Sequence, residues 1–226
     1  MSEGQIIRVA EYAPDDIDIS IKHVYRYMGL GGSKPDDALE ALTKKSISEF
    51  KSAVNYKACY LVTKIIGTDE GVDFGVFFAQ SKSLAKNLKN CDKAVLFAAT
   101  TGAKTEFQRK RAAVTSPSQA LVLDAVGTAA IESFCDRLCD MWAAEFEDCF
   151  LRPRFSPGYG DLSLKMQKPL LSYLDSSRKA GIVLTDSLLM IPQKSVSAIV
   201  GIGKTGCTLK THDCTLCEKL DCEFRL

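Results

Sequence analysis

The sequence has almost no excess charge of either sign, since 29 lysines and arginines stand against 28 aspartates and glutamates and the net charge is +1. Proteins that bind nucleic acid or anionic membranes usually show a basic stretch or a strongly positive net charge. This sequence has neither feature. The composition therefore predicts a small molecule or another protein as the binding partner, with no nucleic acid and no membrane.

Long apolar runs are also missing, because no stretch approaches the about eighteen consecutive apolar residues of a membrane-spanning helix. The first residues, M-S-E-G-Q, lack the basic segment followed by an apolar one that is typical of a secretory leader. Both absences predict a cytoplasmic protein. A chain of 226 residues is long enough to bury a substantial core as one large domain, with or without a small appendage.

Cysteine is the exception to these shortages, with nine residues. An odd number argues against a secreted disulfide framework. Buried, reduced cysteines behave as small apolar side chains. Five are scattered among apolar or helical surroundings, where we expect reduced thiols: Cys59, Cys91, Cys135, Cys139 and Cys149.

The other four cysteines cluster near the end of the chain with the spacing C-x6-C-x2-C-x4-C: Cys207, Cys214, Cys217 and Cys222. Four thiolates close in sequence are able to surround Zn²⁺ or an iron–sulfur cluster. A redox-active Cys214/Cys217 pair and four inert thiols remain as alternatives. We therefore divide the chain into one domain, residues 1–203, and a Cys-rich tail, residues 204–226.

Short blocks of β-branched and aromatic residues predict strands at residues 58–66 and 72–78, joined by the turn cluster 67–71 as a hairpin. Residues 93–99 predict a buried strand, and residues 181–184 and 195–201 an antiparallel pair. These blocks do not alternate regularly with helices. Such an order favours an α+β fold over a parallel βαβ arrangement.

Helices are predicted at residues 81–88, from 118 to about 148, and at 168–174. Asp36, in the Gly/Pro-rich loop at residues 28–37, is a candidate N-cap of the helix that follows. The longest helix carries one apolar stripe, which indicates core packing. Asp124 and Glu132 lie in this helix, where acids are most often solvated. If the helix lines a pocket, both acids are able to face it.

The segment R-F-S-P-G-Y, residues 154–159, has the features of a ligand-binding turn. Pro157 and Gly158 favour the two corners of a type II turn. Arg154 is able to hold a carboxylate through two parallel hydrogen bonds, and Tyr159 offers an aromatic face to a heterocycle or a cation. An ordinary surface turn is the alternative for this segment alone.

A second segment reads S-x-x-M-x-P-x-x-S-V-S, with Met190, Pro192 and Ser195 in it. Together with residues 154–159 and 170–174, it resembles the C-terminal activation (reactivation) domain of cobalamin-dependent methionine synthase. The resemblance implies a curved antiparallel sheet flanked by helices. The family's loop reads R-P-A-P-G-Y, so Phe155 and Ser156 here replace Pro and Ala.

In that family the loop binds S-adenosylmethionine, which implies ligand-binding roles for the corresponding residues here. Arg154 would hold the methionine carboxylate, the backbone of Ser156, Pro157 and Gly158 would contact the adenosyl part, and Tyr159 would pack against the ligand. No residue is needed as a catalytic acid or base. Three acids remain as candidates for the ligand's ammonium group: Asp36, Asp161 and Asp186.

The resemblance also implies a partner, a cobalamin-binding methionine synthase or another corrinoid protein. The protein would be an accessory component that presents S-adenosylmethionine for reductive methylation of the partner's oxidised cobalamin. The alternative function is a redox or metal-binding sensor module for a corrinoid protein, without binding of a methyl donor.

Overall fold

The computed structural model describes residues 6–30 and 33–204. The described strands are β1 Arg8–Tyr12, β2 Tyr56–Lys64, β3 Ile66–Gly67, β4 Gly71–Asp73, β5 Phe78–Gln80, β6 Lys93–Thr100, β7 Phe150–Leu151, β8 Val183–Leu184, β9 Met190–Ile191 and β10 Ser195–Gly203. The described helices are α1 Ile21–Tyr27, α2 Asp37–Ala53, α3 Lys82–Asn87, α4 Ala103–Thr115, α5 Pro117–Glu145, α6 Gln167–Tyr173 and α7 Ser176–Ala180. None of these helices is long and apolar enough to cross a membrane.

The main sheet has five strands in the order β1-β2-β6-β10-β7, and every neighbouring pair is antiparallel. Its centre is formed by β2, β6 and β10. These strands pair over eight residues on each side of β6, from Lys57 opposite Thr100 to Lys64 opposite Lys93 on one side. The sheet is curled, and helices flank it, as the α+β prediction requires.

Side chains alternate along each strand, so the sheet has two faces. Each face is buried in a core of its own. Tyr56, Ala58 and Tyr60 of β2 face a core formed with α1, α2 and α5. Cys59 and Leu61 of the same strand face a second core, formed with α3, α6 and α7. A sheet covered on both sides explains why β6 and β10 read as almost continuous apolar runs.

The long helix predicted at residues 118–148 is confirmed as α5, which begins at Pro117 and ends at Glu145. Proline suits the first helical position, where its missing N–H costs no hydrogen bond. The apolar stripe is buried against the sheet, and it ends in Trp142, whose ring contacts those of Tyr60 and Phe97. The helix is therefore held in place against the sheet, and so are the residues on its other face.

The predicted cap of α2 is confirmed, and the structure shows a second cap of the same kind at α3. Asp36 caps α2 by accepting a hydrogen bond of 2.7 Å from the Leu39 N–H. Ser81 caps α3 in the same way, with 2.9 Å to the Leu84 N–H. In each case the side-chain oxygen satisfies a backbone donor that the first helical turn leaves free.

Two predicted strand pairings are wrong. The turn cluster at residues 67–71 does form a hairpin, but it joins β3 to β4 in a separate three-stranded sheet with β5. The strand β2 instead pairs with β1 and β6. Likewise β8 pairs with β9, whereas β10 pairs with β6 and β7. Long-range pairing of two fully buried strands prevails because it buries far more apolar area than a two-residue hairpin.

In the described part of the chain, the five scattered cysteines form no disulfide bond. Burial raises the pKa of Cys59 to about 12, so this residue is protonated at neutral pH. The four tail cysteines, Cys207, Cys214, Cys217 and Cys222, lie outside the described residues. Their role as ligands of zinc or an iron–sulfur cluster stays a prediction.

Candidate functional site

The segment from Ser156 to Tyr159 forms the predicted turn. The Tyr159 N–H donates to the Ser156 carbonyl at 3.0 Å, and Gly158 has φ +96°. A positive φ at this corner is easily reached only by glycine. Pro157 is buried, while Gly158 and Tyr159 are exposed. The turn therefore presents its second half to solvent.

The turn is anchored on both sides. Phe155 and Ile199 of β10 exchange two backbone hydrogen bonds of 2.9 Å, so the chain before the turn extends the sheet edge. After the turn, the Gly158 N–H donates to the Leu162 carbonyl at 2.8 Å. The N–H groups of Gly158 and Tyr159 are thus used inside the loop. A ligand at this turn would meet carbonyl oxygens and side chains rather than these two donors.

Tyr159 is the aromatic group that the turn exposes, with 53% of its surface accessible. Its ring packs against that of Phe155 in a T-shaped contact, with ring centroids 6.1 Å apart. An aromatic ring held by one neighbour and otherwise open is suited to stacking on a heterocycle. Tyr159 therefore remains available for the predicted contact with an adenine.

Arg154 is bound to two carboxylates of α5. Its Nη1 lies 2.6 Å from Asp136 Oδ1, and its Nη2 lies 2.7 Å from Glu132 Oε2. The arginine side chain is only 13% exposed. The sequence predicted that Arg154 binds the carboxylate of a ligand. The structure places it in an ion-pair cluster with Glu132 and Asp136. Glu132 is accordingly a partner of Arg154 rather than a merely solvated acid.

Electrostatics in this cluster favour a permanent positive charge on the arginine. Burial alone would lower the pKa of the Arg154 guanidinium, but the nearby charges of Asp136 and Glu132 raise it above its ordinary value. Burial raises the pKa of the Cys135 thiol, with Arg154 opposing. Arg154 is therefore a fixed cation beside neutral thiols, and it is able to bind an anion at any physiological pH.

Tyr27, at the end of α1, lies on the same side of α5. The pKa of its hydroxyl is raised by burial and further by the nearby charge of Glu132. The Arg26 guanidinium lies 5.8 Å from the centre of the Tyr27 ring. A second aromatic side chain and a second cation thus stand close to the Arg154 cluster, from an element far away in sequence.

Polar residues at intervals of four form a row on one face of α5: Asp124, Thr128, Glu132 and Asp136. Lys194 covers the first half of this row, with its Nζ 3.0 Å from Asp124 Oδ2 and donating to Thr128 Oγ1 at 2.8 Å. Arg154 covers the second half. Asp136 and Lys194 were missed by the sequence interpretation, although the four-residue spacing is a signal that indicates a polar face.

The second segment of the predicted site acts as a connection to α4 and β6. Ser195 Oγ donates to the Pro192 carbonyl at 2.7 Å and lies 2.9 Å from Thr100 Oγ1. The Gln193 N–H donates to Glu106 of α4. The two segments meet through β10, since Phe155 pairs with Ile199 of that strand. None of these described contacts involves Arg154.

In the described part of the chain, none of the three acids considered for a ligand's ammonium group contacts Arg154. Asp36 is committed to the cap of α2. Asp161 accepts hydrogen bonds from the Ser81 hydroxyl and from the N–H groups of Lys82 and Ser83, the latter two at 2.9 and 3.1 Å. Asp186 is exposed in the turn between β8 and β9. In the described part of the chain, the acids that contact Arg154 are Glu132 and Asp136.

Asp161 gives a pH-dependent prediction. The Ser81 hydroxyl first, and then the two backbone N–H groups, lower its pKa from 3.8 to about 2. A lowered pKa stabilises the fold fully above about pH 4, and this stabilisation is lost as the pH falls towards 2. We expect Asp161→Asn to lower the melting temperature by roughly 2 to 4 °C at pH 7 and by clearly less at pH 3.

Thermal unfolding followed by circular dichroism at both pH values checks this expectation. The control is Asp186→Asn, which removes an exposed carboxylate that caps no described helix. An Asp161→Asn deficit of the same size at pH 3 and pH 7 would show that the carboxylate charge is not what stabilises the start of α3.

Two surface hollows lie outside the Arg154 cluster. One, of about 510 Å³, lies between α6, α7 and β8, with Lys168, Asp175 and Asp186 among its lining residues. The other, of about 570 Å³, borders the end of the turn at Asp161 and Ser163. Neither is lined by Arg154 or Tyr159.

Within residues 6–30 and 33–204, no group of three or more histidines, cysteines or acids is arranged to hold a metal ion.

The comparisons with known proteins show a likeness in fold. No protein-family model matches the sequence, and no curated protein matches it. A solved structure of the MetH reactivation domain bound to AdoHcy matches at a TM-score of 0.67, with 11% sequence identity, over 90% of this chain and 80% of that one. The chain therefore has the fold of the MetH reactivation domain, the curved antiparallel sheet flanked by helices that the resemblance implied.

Proposed function

We propose that the protein binds S-adenosylmethionine at the Arg154 cluster and the Ser156–Tyr159 turn, and that it supports reactivation of the cobalamin of a partner methyltransferase. The observation that carries this proposal is the Arg154 cluster, a permanently charged arginine beside two acids, followed five residues later in the chain by the exposed Tyr159. The fold gives independent support, because the structural neighbour is described with AdoHcy bound.

The chemistry of the constellation fits an adenosyl amino acid. The ligand's α-carboxylate requires a cation, which Arg154 supplies, and its ammonium group requires an anion. Glu132, held 2.7 Å from Arg154 and 39% exposed, is the acid that we assign to the ammonium. Alternating charges on the protein thus match those of the zwitterion.

The adenosyl part would lie along the turn. The backbone of Ser156, Pro157 and Gly158 would contact it, and Tyr159 would stack on it; of these residues, Gly158 and Tyr159 are exposed. Stacking of a base on an aromatic side chain contributes about 1 to 3 kcal/mol. The exposed half of the turn is therefore the specificity element for adenine in this proposal.

In reactivation the protein supplies binding and position, and no side chain acts as acid or base. The methyl group bound to the ligand's sulfonium would pass to the cobalt of the partner's cobalamin once a separate donor has supplied one electron, and AdoHcy would remain. The partner is a cobalamin-binding methionine synthase or another corrinoid protein, met in the cytoplasm. Nothing in the described residues favours the alternative of a sensor module without a methyl donor.

Calorimetric titration with S-adenosylmethionine tests the proposal. The Tyr159→Ala variant tests how much the aromatic ring contributes to the affinity. We expect the dissociation constant to rise about 5- to 100-fold because the stacking contact is lost. The matched control is Phe150→Ala, which removes an aromatic ring of equal exposure, 53%, on β7. Absence of binding to the unmodified protein, or equal effects of both substitutions, would contradict the proposal.

A further inference from the structure

The two carboxylates that hold Arg154 are not equivalent. Both contacts are short, 2.6 Å to Asp136 and 2.7 Å to Glu132, and each uses a different terminal nitrogen of the guanidinium. Asp136, however, is 68% exposed, whereas Glu132 is 39% exposed. Only the Asp136 carboxylate is mostly surrounded by solvent.

Exposure decides which of the two acids yields to a competing anion. A carboxylate that leaves an arginine recovers most of its hydration when it is already exposed, so its contact is weak in net terms. A more buried carboxylate loses more when its partner is withdrawn. Asp136 is therefore the displaceable group, and Glu132 is the one that stays with Arg154.

We infer that Asp136 is an internal competitor of the ligand, an acid that occupies on Arg154 the place of the ligand's α-carboxylate. The inference rests on the proposed function. Asp136 lies one helical turn beyond Glu132 on the same face of α5, which brings both acids to one arginine. Ligand binding then exchanges one carboxylate for another on Nη1, and the affinity is lowered by the cost of displacing Asp136.

The competition acts only on ligands that carry a carboxylate. S-adenosylmethionine and AdoHcy must displace Asp136, whereas 5′-methylthioadenosine, which lacks the amino-acid part, need not. Asp136 thus sets the affinity for the amino-acid portion separately from the affinity for the adenosyl portion. Removing it should change the two classes of ligand differently.

Calorimetric titration of Asp136→Asn and Asp136→Ala with these three ligands tests the inference. We expect S-adenosylmethionine and AdoHcy to bind about three- to tenfold more tightly than to the unmodified protein, and 5′-methylthioadenosine to bind equally. A general charge effect has the opposite sign for S-adenosylmethionine, because removing an anion weakens the attraction of a cationic ligand. The alanine variant removes the oxygen that asparagine retains.

The matched control is Asp140→Asn, which neutralises an exposed acid one further turn along α5 that is not bound to Arg154. We expect it not to tighten binding. If the unmodified protein binds S-adenosylmethionine and both Asp136 variants bind it equally or more weakly, the inference is overturned while the proposed function stands. If neither the unmodified protein nor any variant binds an adenosyl ligand, the proposed function fails, and the inference fails with it.

Discussion

Arg154→Ala is expected to weaken binding of S-adenosylmethionine by about 30-fold or more. Truncating one partner of a desolvated, hydrogen-bonded charge pair costs roughly 2 to 5 kcal/mol, and Arg154 is 13% exposed. The loss has two sources. The ligand's carboxylate no longer finds a cation, and Glu132 and Asp136 are left as two neighbouring anions that repel it.

Arg154→Lys separates charge from geometry. Lysine keeps the positive charge but presents one ammonium group in place of two terminal nitrogens, so it is unable to hold Glu132 and a second carboxylate in the same plane. We expect an affinity between those of Arg154→Ala and the unmodified protein. Calorimetry gives the dissociation constants, and circular dichroism verifies that each variant is folded.

The control for both variants is Arg178→Ala, since Arg178 is 84% exposed and pairs with Asp175 beside α7, away from the turn. It removes an arginine and an ion pair without touching the proposed site. Unchanged affinity in Arg154→Ala, or an equal loss in Arg178→Ala, would contradict the assignment of Arg154 to the ligand.

Trp142→Ala is expected to have the largest effect on stability, a loss of about 3 to 5 kcal/mol in the free energy of unfolding. Trp142 is fully buried at the end of the apolar stripe of α5. Its ring lies 5.4 Å from that of Tyr60 and 5.1 Å from that of Phe97. Removing it leaves a cavity between α5 and the centre of the sheet.

Urea denaturation followed by far-ultraviolet circular dichroism measures this loss, because the chain has a single tryptophan and the variant has no tryptophan fluorescence. Trp142→Phe fills most of the cavity and should lose clearly less. Phe107→Ala is the surface control, as Phe107 is 68% exposed, and it should change stability by less than about 0.5 kcal/mol. A Trp142→Ala loss as small as that of Phe107→Ala would contradict the packing of α5 on the sheet.

The parts of the fold that depend on local signals could be predicted from the sequence. The apolar stripe predicts the α5 helix, and Asp36 predicts the start of α2 because a side-chain oxygen near a free N–H is a short-range interaction. The turn at Pro157 and Gly158 belongs to the same class. Each of these features is decided within a few residues.

Strand partners could not be predicted in the same way. Residues 58–66 and 72–78 are close in sequence, and their turn cluster favours a hairpin, yet β2 pairs with β6 about thirty residues further on. Register between distant strands depends on which apolar faces are buried together, and that is a property of the whole core. For the same reason, β8 does not pair with β10, as the sequence predicted, but with β9.

The turn that carries Tyr159 could be predicted from the sequence, but the contacts of Arg154 could not. Arg154 and Tyr159 were singled out from their types and their turn, whereas the pairing of Arg154 with Glu132 and Asp136 depends on how α5 crosses the end of β10. The four-residue spacing of acids on α5 predicts a polar face but names no partner. A guanidinium that is already paired also changes the chemistry, from simple capture of an anion to exchange of one anion for another.

A crystal structure of the protein with S-adenosylmethionine bound would show whether Arg154 holds the ligand. We expect the ligand's carboxylate about 3 Å from the Arg154 guanidinium in the place of Asp136, with its adenine against Tyr159. A ligand found in the hollow between α6, α7 and β8, with Arg154 still bound to both Glu132 and Asp136, would contradict this expectation.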